Sequence, residues 1–181
     1  MIGIEIEGDE LRAVAREFGA TERQVEAAYR RALNRTASTV RTAFRRELRL
    51  GLDLRAAAVL RRRLRMARQK RRNRGASIEI WLGQNDMAPG AFKGKPQQTG
   101  SGVTFRGQTF PGAFVATMAN GKRSIWKRRT DGRLPILEQT IPVEDEMSKV
   151  LDSRVMPDVL QIFMRNFRAD LRARTAFGVG G

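Results

Sequence analysis

The chain has 181 residues, with 35 Lys or Arg against 19 Asp or Glu, and its net charge of +16 predicts a partner of opposite charge. It contains no Cys and no His, which excludes disulfides, thiolate metal sites and histidine-based acid–base chemistry. It has neither a signal-peptide pattern nor a run of 18 apolar residues, so we expect one soluble domain over residues 1–181, made in a cytoplasm.

The N-terminal part begins with a short strand and continues as helix. Apolar and acidic residues alternate from Ile2 to Glu7, which is typical of a half-exposed strand. A short helix is expected from Asp9 to Phe18. Thr21 and Gln24 then have the spacing of a capping box, and apolar residues follow at steps of three and four until Gly51. This pattern predicts a long amphipathic helix.

Residues 53–74 are predicted to form a projecting basic helical segment. Apolar residues recur in its first part, whereas its second part is mostly charged. Nine Lys or Arg and no acidic residue lie between Arg61 and Arg74. Three interpretations of this run remain open. It is a solvated surface, the second helix of a DNA-binding helix-turn-helix, or a nonspecific contact with nucleic acid or an acidic neighbour. Few of its side chains suit base edges, so phosphates of DNA or an acidic protein are the expected partners. The residues assigned to this contact are Arg61, Arg62, Arg63, Arg65, Arg68, Lys70, Arg71, Arg72 and Arg74.

From residue 77 to residue 137 the pattern changes to period two, which predicts an antiparallel β-meander. A Gly- and Pro-rich stretch, residues 84–102, is expected to be a long loop within it, and Asn120-Gly121 is expected to form a tight hairpin turn. The predicted strands have the sequences SIEIWLG, GVTFRGQTF, GAFVATM and RSIWKR. A second basic cluster, with six Lys or Arg against Asp131, extends from Lys122 to Arg133.

A C-terminal helix is predicted over residues 143–174, kinked or split by Pro157. The acidic residues 144–146 suit the dipole of its first turn, although three carboxylates are also able to bind a divalent cation. The TGSG sequence of residues 99–102 is compatible with a phosphate-binding loop, but a hairpin is favoured because neither Lys nor a helix follows it. No base is available to activate Ser or Thr, so we expect no enzyme, no cofactor and no small-molecule substrate.

The stretch PGAFVATMANGKRSIWKRRTDGRLPILEQT, residues 111–140, resembles the prophage minor tail protein Z family, the tail completion proteins of lambda-type phages. The shared pattern consists of Ala113-Phe114, Gly121, the strand from Ile125 to Lys127, and the RLPI sequence of residues 133–136. Gly121-Lys122 departs from a Gly-His pair common in the family. The likeness extends from residue 24 to residue 147.

The resemblance implies a structural virion protein at the head-proximal end of a long tail. Such a protein completes or terminates the tail, supports head–tail joining, and forms a ring, expected to be a hexamer. Its implied partners are tail-tube, tape-measure and neck or connector proteins, and the packaged DNA end. The alternative is a nonspecific nucleic-acid-binding module acting through Arg61–Arg74.

The platform-like strand pattern carries the candidates for a subunit interface. These are Phe114, Lys127, Arg128, Arg133, Leu134, Pro135 and Ile136. Pro135 is expected to end strand pairing, so that the chain leaves the sheet edge there. The expected fold is α+β, with a small antiparallel sheet covered by the long N-terminal and C-terminal helices.

Overall fold

A computed structural model of the protein describes residues 2–3, 8–70 and 76–178. Within these residues, helices combine with three three-stranded antiparallel sheets, which confirms the predicted α+β class. The helices are α1 (Gly8–Glu17), α2 (Glu22–Gly51), α3 (Glu144–Arg154) and α4 (Met156–Phe177). The strands are β1 (Ile2–Gly3), β2 (Leu64–Lys70), β3 (Ala76–Leu82), β4 (Gln97–Thr99), β5 (Gly102–Phe105), β6 (Gln108–Pro111), β7 (Ala113–Thr117), β8 (Arg123–Arg128) and β9 (Ile136–Glu138).

The chain divides into two compact units. The first contains Met1–Glu47, Leu60–Gly83 and Leu151–Gly181, and the second contains Leu48–Val59 and Gln84–Val150. That they form the one domain expected over residues 1–181 stays a prediction.

In the first unit, α2 and α4 run antiparallel. Asn166 donates a hydrogen bond to Thr36 over 3.0 Å, and closer to the other end of the pair Arg31 lies 3.5 Å from the buried carboxylate of Asp170. In α4 the rings of Phe163 and Phe167 stack, with their centroids 5.9 Å apart, and both side chains are fully buried. The periodic apolar face predicted for the two helices is therefore the core of this unit.

The predicted capping box at the start of α2 is present. Thr21 Oγ1 accepts a hydrogen bond from the backbone N–H of Gln24, and Gln24 Oε1 accepts one from the backbone N–H of Thr21, over 3.3 and 3.1 Å. Gly19, with φ of +56°, separates α1 from α2. Of the strand expected from Ile2 to Glu7, Ile2–Gly3 pairs with β3 as β1, and residues 4–7 lie outside the described residues.

The helical prediction for the basic segment, residues 53–74, is wrong. A short 3-10 helix, Ala57–Leu60, is followed by β2, which pairs with β3 from Leu64↔Leu82 to Lys70↔Ala76. The run of cations has no acidic residues at i,i+4 to support a helix, and antiparallel pairing with the next strand, β3, overrides helix propensity. Residues 71–74 of the predicted segment lie outside the described residues.

The strands of the second unit form two sheets, with the orders β4-β5-β6 and β7-β8-β9. The single meander predicted over residues 77–137 is therefore wrong, because β3 belongs to the β1-β3-β2 sheet of the first unit. The predicted GVTFRGQTF strand is a hairpin: Arg106 and Gly107, with φ of +53° and +75°, form a tight turn between β5 and β6. Strands β7 and β8 pair as predicted, with Gly121 at φ of +76° in their turn.

The stretch predicted to be a loop, residues 84–102, is more ordered than its composition indicates. Met87 forms a bridge with Ile141, Phe92 forms one with Leu54, and Met87 and Phe92 are fully buried. These isolated apolar residues show no periodicity, so sequence patterning does not reveal their burial. β4 occupies the end of the same stretch.

The predicted C-terminal helix is split before Pro157, as expected, into α3 and α4. Pro157 is the second residue of α4, where its missing N–H has no partner to lose. The acidic residues Glu144, Asp145 and Glu146 occupy the first turn of α3 and are exposed.

Candidate interaction surfaces

The β7-β8-β9 sheet and its β8–β9 loop contain all seven interface candidates. Phe114 is the register partner of Trp126, and Arg128 is the partner of Ile136. The guanidinium carbon of Arg128 lies 5.9 Å from the centroid of the Phe114 ring, so these residues share one sheet face. Lys127 pairs with Leu137 and therefore lies on the opposite face. The candidates are close in space but do not form one patch.

The RLPI segment, Arg133–Ile136, connects the β8–β9 loop to β9. The expectation that Pro135 ends strand pairing is wrong, because its carbonyl accepts a hydrogen bond from Arg129 N over 3.0 Å and the chain enters β9 at the next residue. Proline is tolerated at the start of an edge strand because no donor is needed there. The side chain of Leu134 is 71% exposed.

The outer edge of the β7-β8-β9 sheet is formed by β9. Arg129 N donates to Pro135 O and Gln139 N donates to Ile125 O, so hydrogen-bonded pairs alternate along the strand. By this alternation, the backbone groups of Ile136 and Glu138 face away from β8. Leu137, which lies between them, is 48% exposed. In the described part of the chain, this edge combines unpaired backbone groups with exposed leucines.

Cations surround the same edge. Lys127, Arg128, Arg129 and Arg133 are all exposed. Asp131 is the only acidic residue in the β8–β9 loop. This combination of exposed leucine and arginine is suited to a protein partner that carries acidic groups at its rim.

Gln98 connects the two sheets of the second unit, a role that sequence patterning did not assign to it. Its side-chain amide donates to the carbonyl oxygens of Gly102 and Ala113, over 3.0 and 3.2 Å, and its Oε1 accepts from Val115 N over 3.1 Å. The only signal in the sequence is the Gln-rich approach to β5, residues 97–98. β7 is thus held in place by a side chain of β4.

Those of the predicted DNA or acidic-partner residues that the structure describes belong to β2 and to the turn before it. Arg61 and Arg62 are exposed in the turn that precedes it, whereas Arg63 is half-buried and its backbone oxygen accepts a hydrogen bond from Gly83 N over 2.7 Å. Arg65, Arg68 and Lys70 are residues of β2, and Arg71, Arg72 and Arg74 lie outside the described residues. We call β2, β3 and the turn Arg61–Arg63 the basic strand pair.

Other chemistry considered from the sequence finds little support in the described residues. No group of three or more His, Cys, Asp or Glu among them has an arrangement suited to a metal ion. The TGSG sequence forms the turn of the β4–β5 hairpin, as favoured above. None of the described helices is long and apolar enough to cross a membrane.

Comparison with known proteins identifies the family. The family model described as prophage minor tail protein Z matches residues 12–174. This range includes the whole stretch on which the resemblance was recognised and most of all four helices. No curated protein and no solved structure matches the chain. The match indicates a structural role rather than an enzymatic one. The chain therefore belongs to the prophage minor tail protein Z family, and it is a structural component of a phage tail.

Proposed function

We propose that the protein acts at the head-proximal end of a long phage tail, where it completes or terminates the tail and supports head–tail joining. The observation that carries the proposal is the family match over residues 12–174. Tail-tube, tape-measure and neck or connector proteins are its proposed partners. Assembly takes place in the host cytoplasm, and the mature protein lies in the virion tail.

The proposed assembly is a closed ring, six-fold to match a tail tube. A ring arises when one surface of a subunit meets a different surface of the next and the rotation closes. The free edge of β9, with Leu134 and Leu137 exposed beside it, supports this edge as one of the two surfaces. Backbone pairing at an edge strand fixes the orientation of a neighbour, and the leucines supply apolar area.

The experiment compares two leucines of equal exposure. Leu137, on β9, and Leu160, on α4, are both 48% exposed. We expect Leu137→Asp to leave a monomer in native mass spectrometry at tens of micromolar, and Leu160→Asp to keep the ring. Circular dichroism verifies that both variants fold. A monomeric wild type, or equal loss in both variants, contradicts an interface at β9.

The basic strand pair is proposed to meet the packaged DNA end or an acidic neighbour. In a ring its copies form a dense collar of positive charge. We expect the triple change of Arg61, Arg62 and Arg63 to Glu to give normal tail yield but few joined, infectious particles, counted by electron microscopy and plaque titre. Full infectivity of this variant, together with no DNA binding by the isolated wild-type protein, would show that these arginines form a solvated surface.

A nucleic-acid-binding module acting alone is the second candidate, and the charge of the basic strand pair favours it. It predicts strong DNA binding by isolated protein, and normal tails and normal joining in the triple variant. Weak binding that falls steeply with salt, with a slope near −0.9 per phosphate contacted on duplex DNA, agrees with the tail role.

A further inference from the structure

Trp81, the penultimate residue of β3, is a large aromatic side chain left 46% exposed. It is the register partner of Arg65 in β2. Its indole lies against Gly83: a Cβ built on that glycine would stand 2.9 Å from Trp81 Cη2 and 3.3 Å from Cζ3. Because Gly83 has no side chain, the flat Trp81 ring packs against the Gly83 backbone. Much of the surface of the ring stays open to solvent.

The sequence that leads to this ring is strongly basic. Between residues 61 and 82 the chain has nine Lys or Arg, and its only acid is Glu79. Arg61 and Arg62 are exposed in the turn that begins the basic strand pair, and Arg63, in the same turn, is tied to Gly83 through the backbone. The indole and these cations thus belong to one local substructure.

An exposed aromatic ring among cations is the combination used to bind single-stranded nucleic acid without sequence preference. Bases of a single strand stack on the ring, while the cations contact the phosphates. A duplex offers phosphates but keeps its base faces stacked inside. An acidic protein supplies charge but lacks the repeated planar faces that an indole binds.

We propose that Trp81 is a stacking platform for a base of single-stranded nucleic acid, with Arg61 and Arg62 holding the flanking phosphates. The inference deepens the proposed contact with a DNA end and rests on that contact. It names unpaired nucleotides as the preferred ligand and adds an aromatic residue to a site so far defined by charge alone.

The test measures the binding of the full chain to a labelled oligo-dT strand and to a blunt duplex of equal length, by fluorescence anisotropy. We expect Trp81→Ala to weaken binding of the single strand roughly tenfold, as removal of one stacked base does, and to change duplex binding less than about twofold. Trp81→Phe, which keeps a ring, should retain most of the affinity. The double change of Arg61 and Arg62 to Glu should weaken binding to both DNAs.

A second readout observes the stacking itself. Trp126, whose indole donates a hydrogen bond to Ala116 O over 3.0 Å, is the only other tryptophan. In the Trp126→Phe variant the remaining indole fluorescence comes from Trp81, and it should be quenched by oligo-dT but not by the duplex.

Three outcomes would overturn the inference. In the first, Trp81→Ala weakens binding to the single strand and to the duplex equally. In the second, Trp81 fluorescence is not quenched at saturating oligo-dT. Either result would mean that the surface contacts DNA without base stacking. Binding to polyglutamate but to neither DNA would assign the surface to an acidic protein and remove the DNA contact as well. The role in tail completion is tested separately, by the tail and particle counts, and does not depend on these results.

Discussion

The α2–α4 helix pair and the β7-β8-β9 sheet differ in what they do with large apolar side chains and with charge. In the helix pair, Phe163 and Phe167 are fully buried, and the only charged group with so little exposure, Asp170, has arginine partners. In the sheet and its loop, Leu134 and Leu137 are exposed beside cations. The first region thus uses its side chains to stabilise the fold, and the second leaves them exposed on the surface where we propose that a partner binds.

The largest expected effect is the loss of a core ring. Phe167→Ala removes a fully buried phenyl group stacked on Phe163, and should lower the free energy of unfolding by about 3–5 kcal/mol. Phe177→Ala, at an exposed position of the same helix, is the matched control and should change it by less than about 0.5 kcal/mol. Urea denaturation measures both. Similar losses in the two variants would contradict the buried helix pair.

A smaller loss is expected when the buried charge is removed. Asp170 is 6% exposed and accepts a hydrogen bond from Arg174 Nε over 2.7 Å, so Asp170→Ala leaves a mostly buried guanidinium without its partner. We expect a loss of about 3 kcal/mol. Asp9→Ala, which breaks an exposed pair with Arg12, should cost about 0–1 kcal/mol. Thermal unfolding of the two variants should separate these values clearly, and equal melting temperatures would refute the difference.

A backbone effect follows in the second unit. A Cβ at Gly102 would stand 2.2 Å from Phe110 O, so Gly102→Ala forces β5 and β6 apart and should cost about 1–3 kcal/mol. Gly100→Ala, two residues earlier, meets nothing within 4 Å and is the control. If both variants unfold at the same urea concentration, the close approach of β5 and β6 at Gly102 is contradicted.

The smallest effect on stability is expected at the proposed interface. Leu137→Asp replaces a half-exposed side chain in the middle of a short edge strand, and should change the free energy of unfolding by less than about 0.5 kcal/mol. Its effect should appear in self-association instead. A large loss of stability in this variant would mean that Leu137 belongs to the core, and the distinction between the two regions would fail at this position.

The sequence predicts well those elements in which several local signals agree with one another. α2 combines a regular apolar face with the Thr21–Gln24 box, and β7–β8 combines alternation with Asn120-Gly121, so local signals agree with the fold. β2 has no such signal: its cations favour no particular structure, and its strand state depends on β3. Likewise, the role of Gln98 depends on contacts with Ala113 and Val115, which are distant in sequence.

The candidate interaction residues come from two kinds of signal in the sequence, charge and family resemblance. Their charge identifies Arg61 and Arg62, which are exposed, as candidates, and the family resemblance identifies the RLPI segment. Neither charge nor resemblance identifies Leu137 or Trp81 as a candidate, because an apolar residue in a strand pattern is expected on the buried face. Only the register and the exposed fraction of each side chain separate these two from core residues.

The shortness of β9 has a consequence for solubility. Free strand edges invite open-ended stacking of chains into aggregates, and short length, proline and charge are the usual protections. β9 is three residues long, follows Pro135, and ends in Glu138, which forms an ion pair with Lys122. An added strand thus finds outward-facing backbone groups on only two residues, Ile136 and Glu138. Such an edge resists fibrillar growth, and it leaves room for only one short segment of the partner that we propose to bind there.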